Sequence, residues 1–188
     1  MNVTKEQAQI SLETIQQVQA QTRRTLAHGG GPLYLIIWGI VWFLGYLGNH
    51  FLPPETAGYL WMGLSITGFV VSAGVGWRSS TKVRSSANDY RIAFFWVAWV
   101  IYTPLIVWLS GAASDPLAVS IIVSVMAMFG YVVMGLWMWT PMVWIGAGVT
   151  AIITLAYLTI PQYVDIIMAF LGGGSLAFIG IYIYRNWR

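Results

Sequence analysis

The chain has no cysteine, and only 8% of its 188 residues are charged. The first absence excludes disulfide staples, thiolate metal sites and cysteine nucleophiles. The second excludes a water-soluble globule of ordinary polarity: 58% of the side chains are apolar, and too few charges remain to cover an aqueous surface. A third shortage is positional. No apolar run carries an ionisable group near its middle, and both histidines, His28 and His50, stand at run ends. Proton relays and carboxylate-coupled transport depend on such groups, so neither is expected. Paired carboxylates for acid–base work and a gathered Ser-His-Asp set are missing too. The sequence therefore nominates no catalytic, cofactor or metal-ligating residue, and the chain is not expected to be an enzyme.

What the sequence does contain is apolar length. Six runs bounded by charge, proline and glycine cover residues 32–48 (extendable to Leu52), 57–77, 92–110, 117–139, 141–158 and 163–184. Each approaches the roughly 20 residues needed to cross a hydrocarbon core about 30 Å thick. Only Thr140-Pro141 divides the fourth run from the fifth, but a single helix through both would reach about 63 Å, twice that thickness. The chain must turn there, with Pro141 suited to open the next helix.

The basic residues check this count independently. Lys5, Arg23 and Arg24 precede the first run, and Arg78, Lys82, Arg84 and Arg91 separate the second from the third. Arg185 and Arg188 follow the sixth. Six crossings place all nine on one side, opposite Glu55, Asp115 and Asp165, and the positive-inside rule makes that side cytoplasmic. The net charge of +3 thus reports orientation, and no nucleic-acid partner is expected. The expected fold is all-α: a multi-pass cell-membrane protein of six transmembrane helices, both termini cytoplasmic, with an arm over 1–28 and a membrane domain over 29–188. No A-x-A-like cleavage site follows a short apolar stretch, so the first span is expected to serve as an uncleaved targeting signal.

The arm reads as an amphipathic helix. Thr4 is suited to cap it, Ala8, Leu12 and Ile15 share one face, and Arg23, Arg24 and His28 sit where a helix C-terminus favours positive charge. Gly29-Gly30-Gly31 then uncouples its direction from the first span; without a lysine-serine or lysine-threonine ending the run is no phosphate loop. The first reading of such an arm is that it lies on the inner leaflet with its arginines on lipid phosphate; the sharper one is a docking or dimerising helix, suited by glutamines where a pure membrane binder would carry lysines. The loop over 78–91 repeats Arg-Ser-Ser beside the bilayer. Candidate contacts to anionic headgroups are accordingly Arg23, Arg24, Arg78, Lys82, Arg84 and Arg91.

Within the spans, Gly68, Ser72 and Gly76 recur every four residues, Ser120 and Ser124 form a second small pair, and Gly172-Gly173-Gly174 interrupts the sixth run. Small residues at this spacing let helix backbones approach, whereas three successive glycines can also open a backbone around a solute. Gly68, Ser72, Gly76, Gly172, Gly173 and Gly174 are therefore candidates for packing or for a pathway. Trp38 with Trp42, and Trp96 with Trp99, share helix faces and form a candidate aromatic ligand surface if those faces meet. Most other aromatics fall at run ends as interfacial belts. A faint repeat joins MAMFG at 126–130 to MAFLG at 168–172.

Two functions follow as expectations. One is a membrane accessory or signalling subunit, self-associating or docked to a protein partner through the arm. The other is a facilitator or channel for a small neutral or aromatic-binding solute, lined near Thr103-Pro104, Thr150, Thr154 and the triple glycine. Lipid handling through residues 78–91 is a weaker third. Small-residue faces point to a homo-oligomer in contact with anionic lipid on the cytoplasmic side.

Overall fold

The computed structural model describes residues 31–80, 89–137 and 140–186, which are helical almost throughout, with no strand among them. The elements are α1 (Gly31–Phe51), α2 (Pro54–Ser80), α3 (Asp89–Leu109), a 3-10 turn (Ala112–Ser114), α4 (Pro116–Trp137), α5 (Pro141–Thr159) and a composite α6 (Pro161–Asn186). Within α6 a 3-10 turn (Pro161–Tyr163) and an α turn (Val164–Ile167) lead into a π-helical segment (Met168–Gly174), then an α-helix (Ser175–Asn186). The arm over 1–28 and the middle of the Arg-Ser-Ser loop lie outside the described residues.

Proline punctuates this order. Of the seven prolines, Pro32, Pro54, Pro116, Pro141 and Pro161 each stand in the first turn of a helix, where the missing N–H has no intrahelical partner to lose. Asp115 adds a cap to α4, its Oδ1 accepting the Leu117 N–H at 3.0 Å. Only Pro104 stands inside a helix, α3. Gly111, with φ +74°, supplies the left-handed step that turns the chain after α3.

Five of the helices are long and apolar enough to cross a membrane, and α3 contributes a shorter apolar stretch, Phe94–Leu109. Phe69, Val70, Trp108, Leu109, Leu136 and Phe178 are all more than half exposed, an apolar exterior whose natural solvent is lipid. This is a helical membrane protein.

Antiparallel packing organises the bundle. α1 is central: it packs along α6 on one side and α2 on the other, while α4 packs along α5 and carries α3. Tyr46, Ala127, Met128, Ile153, Met168 and Ala169 form the core between α1, α4, α5 and α6. The two similar pentapeptides both feed it. Ala127 and Met128 are buried while Phe129 points outward; Met168 and Ala169 are buried while Phe170 does the same.

Lipid is as apolar as leucine, so helices in it are held by close packing and hydrogen bonds. The α1–α6 contact shows the first device. A Cβ on Gly173 would lie 2.6 Å from Phe43 Cα and 2.7 Å from the Gly39 carbonyl oxygen; one on Gly39 would lie 2.8 Å from Ala177 Cα. Gly180 faces the Pro32 carbonyl in the same way, at 2.8 Å. α5 meets α4 through Gly146, whose added Cβ would fall 2.7 Å from the Met128 carbonyl oxygen.

Gly173→Ala is expected to overpack the α1–α6 contact and cost about 1–3 kcal/mol. Gly148→Ala, at a helical site with nothing within 4 Å of the added methyl, is expected to be neutral or stabilising. Thermal unfolding of both variants in one detergent checks the contrast; equal midpoints would refute the backbone contact.

Candidate functional site

The hydrogen-bonded side chains that join separate helices of the bundle gather largely at one end. α1 ends there and α2, α4 and α6 begin there, so four helices deliver Asn49, Trp61, Ser120 and Asp165 to one place. The Trp61 indole N–H donates to Asn49 Oδ1 at 2.9 Å, which fixes the amide with its nitrogen toward the other partners. Asn49 Nδ2 then donates to Ser120 Oγ at 2.8 Å and to Asp165 Oδ1 at 3.3 Å, and Ser120 Oγ donates to the same carboxylate oxygen at 2.8 Å. One carboxylate oxygen thus terminates the donors of two helices.

A second pair lies one turn deeper. Ser124 Oγ donates to the Ser120 carbonyl at 2.6 Å, which leaves its lone pairs for the fully buried Tyr46 hydroxyl, 2.7 Å away. The Tyr46 ring meets Trp61 edge to face at 5.2 Å and Trp42 at 5.7 Å. On the outer rim His50 stacks on Tyr163 with centroids 6.4 Å apart. The hub is therefore a polar patch floored by aromatic rings and edged by two more.

Charge is divided along the bundle. Glu55, Asp115 and Asp165 stand at helix beginnings on the hub side, and Arg78 and Arg185 stand in the last turns of α2 and α6 at the other end. Arg91 lies in the first turn of α3, also at that end. Among the described residues no three His, Asp or Glu side chains come together as a metal site would require.

Of the residues singled out from the sequence, Ser120, Ser124 and Trp42 come to the hub, and the glycines and the other three tryptophans fall elsewhere. Gly68 and Gly76 face α1, toward Val41 and the Tyr34 hydroxyl, while Ser72 Oγ between them is buried without a hydrogen-bond partner. Gly172 faces Trp42, Gly173 the Phe43 backbone, and Gly174 the Phe43 ring at 3.9 Å. The spacing of eight shared by Gly68–Gly76 and Gly172–Gly180 thus corresponds to two helices packing on opposite sides of α1.

The four tryptophans are not brought into one surface. Trp38 contacts Phe69 and Trp42 contacts Tyr46, whereas Trp96 contacts Phe95 and Trp99, and among the described residues no ring pair joins the two sets. Trp99 donates its N–H to the Met126 carbonyl at 2.9 Å, tying α3 to α4. Thr150 and Thr154 bond back to the Gly146 and Thr150 carbonyls of their own helix, and the buried Thr103 hydroxyl has no partner. Of the headgroup candidates, Arg23, Arg24, Lys82 and Arg84 lie outside the described residues, as does His28.

Sequence reasoning read Asp165 only as a charge opposite the basic residues and Trp61 as part of an interfacial belt, and passed over Asn49. The available signal was their common height: Asn49, Trp61, Ser120 and Asp165 each lie within about two turns of the ends of α1, α2, α4 and α6 that meet at one side of the bundle. No known protein family, curated protein or solved structure matches the chain.

Asn49→Ala removes one member and strands the Trp61 N–H; interhelical bonds in membranes average about 0.6 kcal/mol, and losing several partners together is expected to cost about 1–2 kcal/mol. In a double-mutant cycle with Ser120→Ala the losses should be non-additive, because both residues serve one oxygen. Strict additivity would contradict a shared hub.

Proposed function

We propose that the protein is a membrane accessory or signalling subunit whose arm, residues 1–28, engages a partner at the cytoplasmic face. The observation that carries this reading is the packing of the triple glycine. The feature that best suited a solute pathway is occupied by the backbone of α1, and the core behind it is filled by Tyr46, Met128, Ile153 and Met168. The threonines considered as a lining turn their hydroxyls to their own carbonyls, as Thr150 and Thr154 do. A rigid apolar centre suits a scaffold that holds something at its ends.

Six crossings with both termini inside support the same reading, because they put the arm and every lysine and arginine on the cytoplasmic side, beside anionic lipid. The exposed apolar faces of α2 and α3 leave room for lipid, a second copy or a membrane partner. A facilitator for a neutral solute is the second reading; it draws on the buried, unpartnered Thr103 hydroxyl beside Pro104.

Since the chain has no cysteine, single replacements map its topology cleanly. Ser114→Cys is expected to react with an impermeant maleimide on intact cells, and Ser86→Cys only after lysis; the reverse pattern would reject the orientation. Native mass spectrometry of gently extracted protein should show a stoichiometric partner that disappears when residues 1–28 are deleted. A homo-oligomer with no partner, combined with solute flux that a Gly173→Leu variant abolishes while remaining assembled, would replace this reading with the second.

A further inference from the structure

Inside the π segment of α6 a backbone donor leaves its regular acceptor, and a side chain takes its place. In a regular α-helix the Ser175 N–H would bond the Leu171 carbonyl, four residues back. Here that N–H reaches the Phe170 and Gly172 carbonyls, and the Ser175 hydroxyl donates to the Leu171 carbonyl instead. The same hydroxyl stands 3.2 Å from the Gly172 carbonyl. Hydroxyls of Thr67, Ser124, Thr150, Thr154 and Thr159 also bond the carbonyl four residues back. Those residues stand in regular α-helix, where the hydroxyl adds to a ladder already in place. At Ser175 it replaces the bond that its own N–H gives up. Leu171 is 40% exposed near the middle of α6, where the solvent is lipid and offers a carbonyl no donor.

A π turn is an α-helix that has taken in one extra residue. Two anchors keep that residue in place. On the hub side Asp165 accepts from Asn49 and Ser120; toward the other end Gly173 and Gly180 lie against the Phe43 backbone and the Pro32 carbonyl. Re-forming regular α-helix between the anchors would turn one of them about 100° away from α1. We propose that Ser175 is the latch of a conformational device in α6. Its hydroxyl holds the extra residue within Met168–Gly174, and releasing it turns Ser175–Asn186 by about 100° relative to the hub. The device links the hub to the helix end that carries Arg185, and for its use it rests on the signalling role proposed above.

Deletions of one residue test the phase. Removing Leu171 takes out the extra residue, so α6 should run as regular α-helix with both anchors kept. Removing Ile179, in the regular part of the helix, should instead carry Gly180 off α1. The first variant is expected to unfold at or above the wild-type midpoint, and the second well below it or not to assemble. Ser175→Ala should lower the midpoint by several degrees in the full chain and leave it unchanged once Leu171 is deleted, because no carbonyl is then passed over. Spin labels on cysteines replacing Val70 and Phe178, both lipid-exposed, read the turn as a second distance in Ser175→Ala, absent from wild type and from the deleted chain. If Ser175→Ala does not assemble, rescue by the Leu171 deletion supports the latch and failure of rescue overturns it. An equal effect of Ser175→Ala in both chains, a Leu171 deletion that does not assemble, a tolerated Ile179 deletion, or an assembled Ser175→Ala showing the wild-type distance alone also overturns it. All readouts use the isolated chain, so their failure is distinguishable from the absence of a cytoplasmic partner.

Discussion

Contact between the backbones of α1 and α6 is the constraint from which the remaining packing follows. With Gly173 against Phe43 and Gly39 against Ala177, the two helices meet without side chains between them. Every longer side chain on those helices must then lie to one flank or the other. Trp42 and Phe43 fill the flanks toward α6, with Phe43 meeting the Phe170 ring at 5.3 Å. Trp38 is left to lie against α2, whose Gly68 and Gly76 receive it and Tyr34. α1 becomes the axis of the bundle because glycine lines it on both sides, and dispersion at short range replaces the hydrophobic drive that lipid cannot supply.

Hydrogen bonds then settle what close packing leaves open. Glycine contacts tolerate sliding along the helix axis, since one small residue resembles the next. The Asn49–Ser120–Asp165 set does not tolerate it, because one turn of displacement, about 5.4 Å, would leave every donor without its acceptor. The hub sits at the end of the helices, where water can reach it, which lowers the penalty for holding a carboxylate beside apolar segments. Depth and register are thus divided between two devices: glycine fixes how near the helices stand, and the polar end fixes how they align.

The all-helical class, the order of the helices and their approximate limits were legible because each rests on a single strong signal. Proline in the first turn announced helix starts, charge bounded the apolar runs, and the 42-residue stretch across Thr140-Pro141 exceeded what a bilayer accommodates. The packing role of small residues was legible only as an alternative to a pathway, since spacing cannot say whether a glycine admits a backbone or a solute. Partnering of the tryptophan pairs was not legible at all. Trp38 and Trp42 share a helix face by spacing, yet the α1 axis divides them between α2 and α6. Asp165 was read only as a charge on the side opposite the basic residues; its place in the hub depends on donors 45 and 116 residues away, Ser120 and Asn49, beyond any local pattern.

The π segment explains why regular helical periodicity would not place Asp165 on the face of α6 that meets α1. On a uniform α-helix, successive residues rotate by about 100°, so Gly180, seven positions after Gly173, returns to within about 20° of its face. Asp165, eight positions before Gly173, would point about 80° away from that face under the same rule. A segment with i→i+5 bonding takes an extra residue into the turn and removes about 100° of rotation. Through Met168–Gly174 the eight positions therefore turn about as far as seven, and Asp165 comes round to the side that faces α1, where Asn49 waits. The triple glycine makes this widening affordable by lowering the preference for regular helix where the extra residue must be absorbed. Close approach and polar alignment would otherwise demand different faces of one helix; three glycines and a local change of pitch let the same helix satisfy both.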